Sequence, residues 1–85
     1  MPYIKRDARI RLDQTGDPET VGELNYEISK LVNHYLIRKG EFKYEYLNEV
    51  IGALECAKLE MYRRVVVPYE EKKLAESGDI FRVPE

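Results

Sequence analysis

The stretch VIGALECAKLEMYRRVV, residues 50–66, constrains this chain more than any other. Its apolar residues recur with the 3.6-residue period of a helix, yet they occupy more than one side. Leu47, Val50, Ile51, Leu54, Ala57, Met61 and Val65 form a main face. The opposite side carries Gly52, Cys56 and Leu59 at i, i+4 and i+7, where small residues let another backbone come close. A helix that is apolar on two sides needs neighbours on two sides. The chain has few means of supplying them. Its 85 residues make one domain at most. A single core of that size rarely contributes more than about 3–5 kcal/mol. Disulfides, a metal or a partner subunit are the usual supplements. One cysteine makes no internal disulfide, and one cysteine with one histidine is a poor metal set. Self-association is what remains, so the chain reads as a homo-oligomer, a C2 dimer, with no cofactor.

Composition narrows the class. Hydrophobic residues are 44 % and charged residues 35 %, in the globular range and far from disorder. The net charge of −2, with acids and bases interspersed, argues against a protein built to coat nucleic acid. No apolar run approaches the roughly 20 residues of a membrane span. The opening MPYIKRDARIRLD has no apolar segment of the kind a secretory signal carries. With a free thiol and no export signal, a reducing cytoplasm is the expected compartment.

Along the chain, residues 1–16 read as a basic arm in which Ile10 and Leu12 alternate with arginines in a faint strand-like pattern. Gly16 and Pro18 then break the chain. A first helix is expected over residues 17–39. Two starts compete: Asp17 as N-cap with Pro18 at the first position, and a Thr20/Glu23 capping box. Its apolar face is Val21, Leu24, Ile28, Leu31, Val32, Tyr35 and Leu36, and Gly40 is a natural stop. A flanking stripe runs Glu23, Glu27, Lys30, His34, Arg38, acids first and bases last, which suits the helix dipole. A second helix is expected over 43–67. Three β-branched residues and Pro68 make 65–68 an ambiguous joint. Either the helix kinks and continues, or a short helix restarts at Pro68; both end at Gly78. Residues 78–85 are a tail, whose alternation offers a minority pairing with the arm.

No convergent catalytic set emerges. Cys56 lies mid-helix between Gly52 and Leu59, without the helix N-terminus, cation or partner base that lowers a thiol pKa, so packing is its better role. His34 sits among Glu27, Lys30 and Arg38, as a solvated helix-end histidine does. The carboxylates lack the Glu-x-x-His of di-metal bundles. They also lack the Glu-Glu-x-x-Glu run of MazG-type pyrophosphohydrolases. Glu60 and Arg64 are spaced to pair at i,i+4. Seven tyrosines without a tryptophan suit core rims and interfaces. Arg9 and Arg11 are the residues by which the arm could contact phosphates. Tyr26 and Ile37, on the far side of the first helix from its core face, form a second candidate interface beside Gly52, Cys56 and Leu59.

The segments MPYIK, GELNYEISKL at 22–31, NEVIGALECAKLEMYRRVV with PYEEKK across 48–73, and SGDIF at 77–81 resemble a family of small uncharacterised prokaryotic and phage proteins. The resemblance covers most of the chain and carries no catalytic residues. It implies a stand-alone intracellular protein.

The expected fold is all-α: an antiparallel two-helix hairpin plus a short or kinked C-terminal helix, completing a helical bundle as a dimer. The expected function is a non-enzymatic interaction, scaffold or regulatory protein that also accommodates a protein partner. Two other classes compete. One is a small enzyme with an inter-subunit site drawn from Glu23, Glu27, His34 or Glu60 and binding metal or nucleotide. The other is nucleic-acid binding through the basic arm.

Overall fold

The computed structural model describes residues 4–81 and residue 84. It is all-helical, with no strand among the described residues. Four α-helices follow in order: α1 (Arg6–Thr15), α2 (Val21–Arg38), α3 (Tyr44–Met61) and α4 (Val67–Ser77). A π-helical turn, Tyr62–Val66, joins α3 to α4 without a break. The chain divides into two compact units, residues 1–48 and 49–85.

The first unit corrects the reading of residues 1–16 as an arm, because residues 6–15 are helical. The two-residue alternation of Ile10 and Leu12 conceals a four-residue spacing, Ile4, Ala8, Leu12, which is one stripe of a helix. Asp7 supplies an acid in the first turn, where the helix dipole favours it. Gly16 ends the helix at φ 68°, a left-handed conformation that glycine adopts without a Cβ penalty. Its N–H donates to the Leu12 carbonyl at 2.8 Å.

α1 packs on α2. Leu12, 1 % exposed, is the one fully buried side chain among the described residues. Ile4 approaches Gly22, where an added Cβ would stand 3.6 Å from the Ile4 Cγ2. Of the two candidate starts for α2, Thr20 is the N-cap: its hydroxyl accepts from the Glu23 N–H at 3.1 Å. The Glu23 carboxylate accepts from the Glu19 N–H at 3.0 Å, one residue before the position of a reciprocal capping box. α2 ends at Arg38, and Gly40 takes φ 77° in the turn that follows.

The second unit is one continuous helical run. Pro68 lacks an N–H, and in an α-helix its ring would meet the Arg64 carbonyl four residues back. The turn before it is widened, so that the Val67 N–H donates to the Tyr62 carbonyl five residues back. The joint at 65–68 therefore neither breaks nor restarts the helix. α4 runs to Ser77 and stops at Gly78, φ 83°, whose N–H donates to the Leu74 carbonyl at 2.8 Å. The minority pairing of arm with tail falls partly on residues 1–3, 82, 83 and 85, outside the described residues; Ile10 and Leu12 themselves are helical.

Leu12→Ala is expected to cost about 2–4 kcal/mol of docking energy, enough to release α1. In hydrogen exchange the amides of Arg6–Thr15 should lose protection while those of the C-terminal half of α2 keep theirs.

Candidate interaction surfaces

The charged face between α1 and α2 is the most organised polar arrangement in the first unit. Arg11 projects from α1 and pairs with Glu23 in a charge-assisted hydrogen bond. It also reaches Glu19 at 3.4 Å and donates to the Asp17 carbonyl at 3.2 Å. One guanidinium thereby fastens the end of α1, the connecting loop and the first turn of α2. Lys30 makes the parallel connection, 3.1 Å from Asp13 and 3.0 Å from Glu27. The Tyr26 ring lies between two cations, the Arg9 guanidinium at 5.6 Å and the Lys30 ammonium at 5.5 Å. Its hydroxyl donates to Asp13 at 3.4 Å.

These contacts set protonation. The hydrogen bond from Arg11 holds the Glu23 carboxyl below its ordinary value, with the Glu19 N–H adding to the effect. Glu23 in turn raises Arg11, assisted by the charges of Glu19 and Asp17. Glu27 and then Asp13 raise Lys30. At the other end of the first unit the Lys39 ammonium stands 4.9 Å from the Tyr35 ring and 5.2 Å from the Tyr46 ring, tying the turn after α2 to the first residues of α3.

The residues singled out in the sequence separate accordingly. Tyr26 is half-buried against α1. Ile37 is exposed beside a shallow depression lined by Asn33, Leu36, Phe42 and Tyr46. Arg9 lies over Tyr26, and Arg11 is bound to acids. In the second unit Gly52 has open space where a Cβ would stand, Cys56 is exposed, and Leu59 is 39 % exposed. Glu60 pairs with Arg64 at 3.3 Å. His34 lies exposed beside Ile28 and Leu31. Among the described residues no three His, Cys, Asp or Glu side chains converge to hold a metal ion. No described helix is long and apolar enough to cross a membrane.

Sequence reasoning missed the α1–α2 clamp and its members Asp13, Glu19 and Lys30 in that role. The signal was present as arginines and aspartates at a two-residue spacing, Arg9, Arg11, Asp13, ahead of the acids of α2. It becomes readable only once residues 6–15 are known to be helical.

The α1–α2 contact leaves one side of α2 open. α1 lies along Gly22, Glu23, Tyr26 and Lys30. At 3.6 residues per turn, Leu24, Ile28 and Leu31 point the other way, and they are 48 %, 41 % and 71 % exposed. In α3 and the π turn, Ile51, Leu54, Met61 and Val65 are likewise exposed. These elements and surfaces define a small all-helical domain with apolar stripes uncovered. The chain belongs to the family described as a domain of unknown function, DUF6899, whose model matches residues 1–80. No curated protein and no solved structure matches it.

The depressed Glu23 pKa fixes the acid limit of the clamp. A carboxylate whose folded pKa lies below its unfolded one contributes stability above the unfolded value and loses it as pH falls through the folded value. Protection of the α1 amides should therefore hold at neutral pH and fall away below about pH 4, from the ordinary carboxylate range downward. Glu23→Gln should lower protection at neutral pH and flatten its acid dependence in the same exchange measurement.

Proposed function

We propose that this protein is a non-enzymatic helical assembly module, a scaffold or regulatory adaptor that works as a homodimer in the cytoplasm. One observation carries the reading. α1 docks on the mixed side of α2 and leaves the apolar side, Leu24, Ile28 and Leu31, exposed. Contiguous apolar stripes of this kind mark interaction surfaces. Among the described residues Leu12 is the one fully buried side chain, which is little core.

The pattern of the stripes supports helical pairing. Val21, Leu24, Ile28, Leu31 and Tyr35 are spaced 3, 4, 3 and 4, the spacing of a coiled-coil seam. Leu47, Ile51, Leu54, Lys58, Met61 and Val65 repeat it, with Lys58 as the polar exception. Charge supports an antiparallel sense. α2 runs from Glu23 and Glu27 to His34 and Arg38, and α3 runs from Glu45 and Glu49 to Lys58. Antiparallel neighbours set the acids of each beside the bases of the other. In this reading a second copy lies antiparallel across these stripes and covers them.

Sedimentation or light scattering at micromolar concentration tests the assembly. The expected mass is twice 10.0 kDa. Leu54→Glu places a charge in the seam and removes about 1.5–3 kcal/mol of apolar burial per protomer. Dissociation should strengthen by about a hundredfold or more. A wild-type chain that stays monomeric while fully helical overturns the reading. An unchanged dimer in Leu59→Glu removes that face from the interface.

A further inference from the structure

In the second unit α3, the π turn and α4 follow in unbroken succession, with 18, 5 and 11 residues. The π turn and α4 are not polar. Tyr62, Val65, Tyr69 and Leu74 are exposed in them, and Ile80 and Phe81 stand exposed after them.

The charges of the π turn and α4 have a symmetry. In RRVVVPYEE, residues 63–71, two bases and two acids lie at equal distances either side of Val67. Arg63 and Glu71 are four residues before and after it; Arg64 and Glu70 are three. Turned end for end, the segment sets base on acid and acid on base, with the half-buried Val66 and Val67 at its middle; Val65 and Tyr69 lie on the other side of the helix. Among the described residues Arg63, Glu70 and Glu71 make no ion pair within the chain, while Arg64 holds Glu60. The backbone adds to the match. Residues four apart in an α-helix are offset by about 40° around the axis. The wider π turn takes more residues per turn, which brings Arg63 and Val67 closer to one line with Glu71.

We propose that two copies of this chain dock antiparallel across residues 63–71, with Val67 at the two-fold axis, Arg63 of each copy facing the partner's Glu71. This deepens the homodimer reading above, on which it rests, by naming the surface and its sense. A two-fold contact is isologous, so a surface that serves it must be complementary to itself. A segment with one sign of charge before its centre and the other sign after it meets that requirement only for an antiparallel copy; a parallel copy sets Arg63 on Arg63 and Glu71 on Glu71.

Charge reversal in the full-length chain tests the pairing, read by sedimentation equilibrium with circular dichroism of each variant. Arg63→Glu and Glu71→Arg should each weaken the dimer about tenfold, since each replaces two symmetry-related attractions by two repulsions. The double variant Arg63→Glu/Glu71→Arg should restore the wild-type affinity within about twofold. A 1:1 mixture of the two single variants should give a heterodimer tighter than either homodimer, a result that misfolding of a variant cannot produce. A wild-type dimer whose affinity neither single variant changes overturns this surface and leaves the homodimer reading standing. So does a double variant as weak as the singles. A wild-type chain that is monomeric, so that a different protein occupies the face, overturns both.

Discussion

The burial of Leu12, in the helix that packs on α2, is the interaction on which the first unit depends. Without it nothing in α1 is buried, and the arginine and lysine clamps would join two exposed helices, where an ion pair contributes at most about 1 kcal/mol. The order of causation matters. Burial of one leucine brings α1 within reach, and the charges then fix its orientation. Arg11 engages the side chains of Glu19 and Glu23 and a loop carbonyl, so only one register of α1 satisfies it. The same docking decides what α2 offers to anything else. Because α1 lies over Gly22 and Tyr26, the open side of α2 is its apolar one.

The second unit rests on a different constraint, the missing N–H of Pro68. A helix that must continue through a proline has to avoid a clash with the carbonyl four residues back. Here it does so by widening the preceding turn. β-branched residues tolerate that region because their cost in an α-helix comes from crowding against the previous turn. The run of Val65, Val66 and Val67 and the π turn are thus two expressions of one local solution. The outcome is a longer helical run than an α3 that stops would give, and its last turns carry exposed apolar residues, Tyr62, Val65, Tyr69 and Leu74.

How much of this was legible in the sequence follows from the kind of signal involved. The class was readable, because helix periodicity in residues 21–36 and 47–65 is sustained over several turns. Helix stops at Gly40 and Gly78 were readable because a left-handed terminus all but requires glycine. Thr20 and Asp17 could not be separated as caps, since both are good N-cap residues and only the fold selects one. α1 was not readable as a helix: its inward stripe is three residues, the half-buried Ile4 and Ala8 and the buried Leu12, set among four bases and two acids. That error carried into the candidate site. With α1 taken as an arm, Tyr26 looked like an outward patch and Arg9 and Arg11 looked available; with α1 folded, the three belong to one internal contact. The π turn was invisible for a plainer reason, that proline announces a conflict and not how the backbone resolves it.

Charge distribution separates the two units more sharply than apolar content does. In the first, the charges near α1 are paired within the chain: Arg11 with Glu19 and Glu23, Lys30 with Asp13 and Glu27. In the second, the described ion pairs are short-range ones along a single helix, Lys58 with Glu55, Arg64 with Glu60, Lys73 with Glu76. Such pairs stabilise a helix by a few tenths of a kcal/mol and leave its field toward neighbours largely intact. A helix kept charged and apolar along the same length is poorly suited to a buried core and well suited to an interface, where apolar contact supplies affinity and charge supplies orientation. Cys56 stands exposed on that helix, and a Cβ on Gly52, one turn before it, would meet open space.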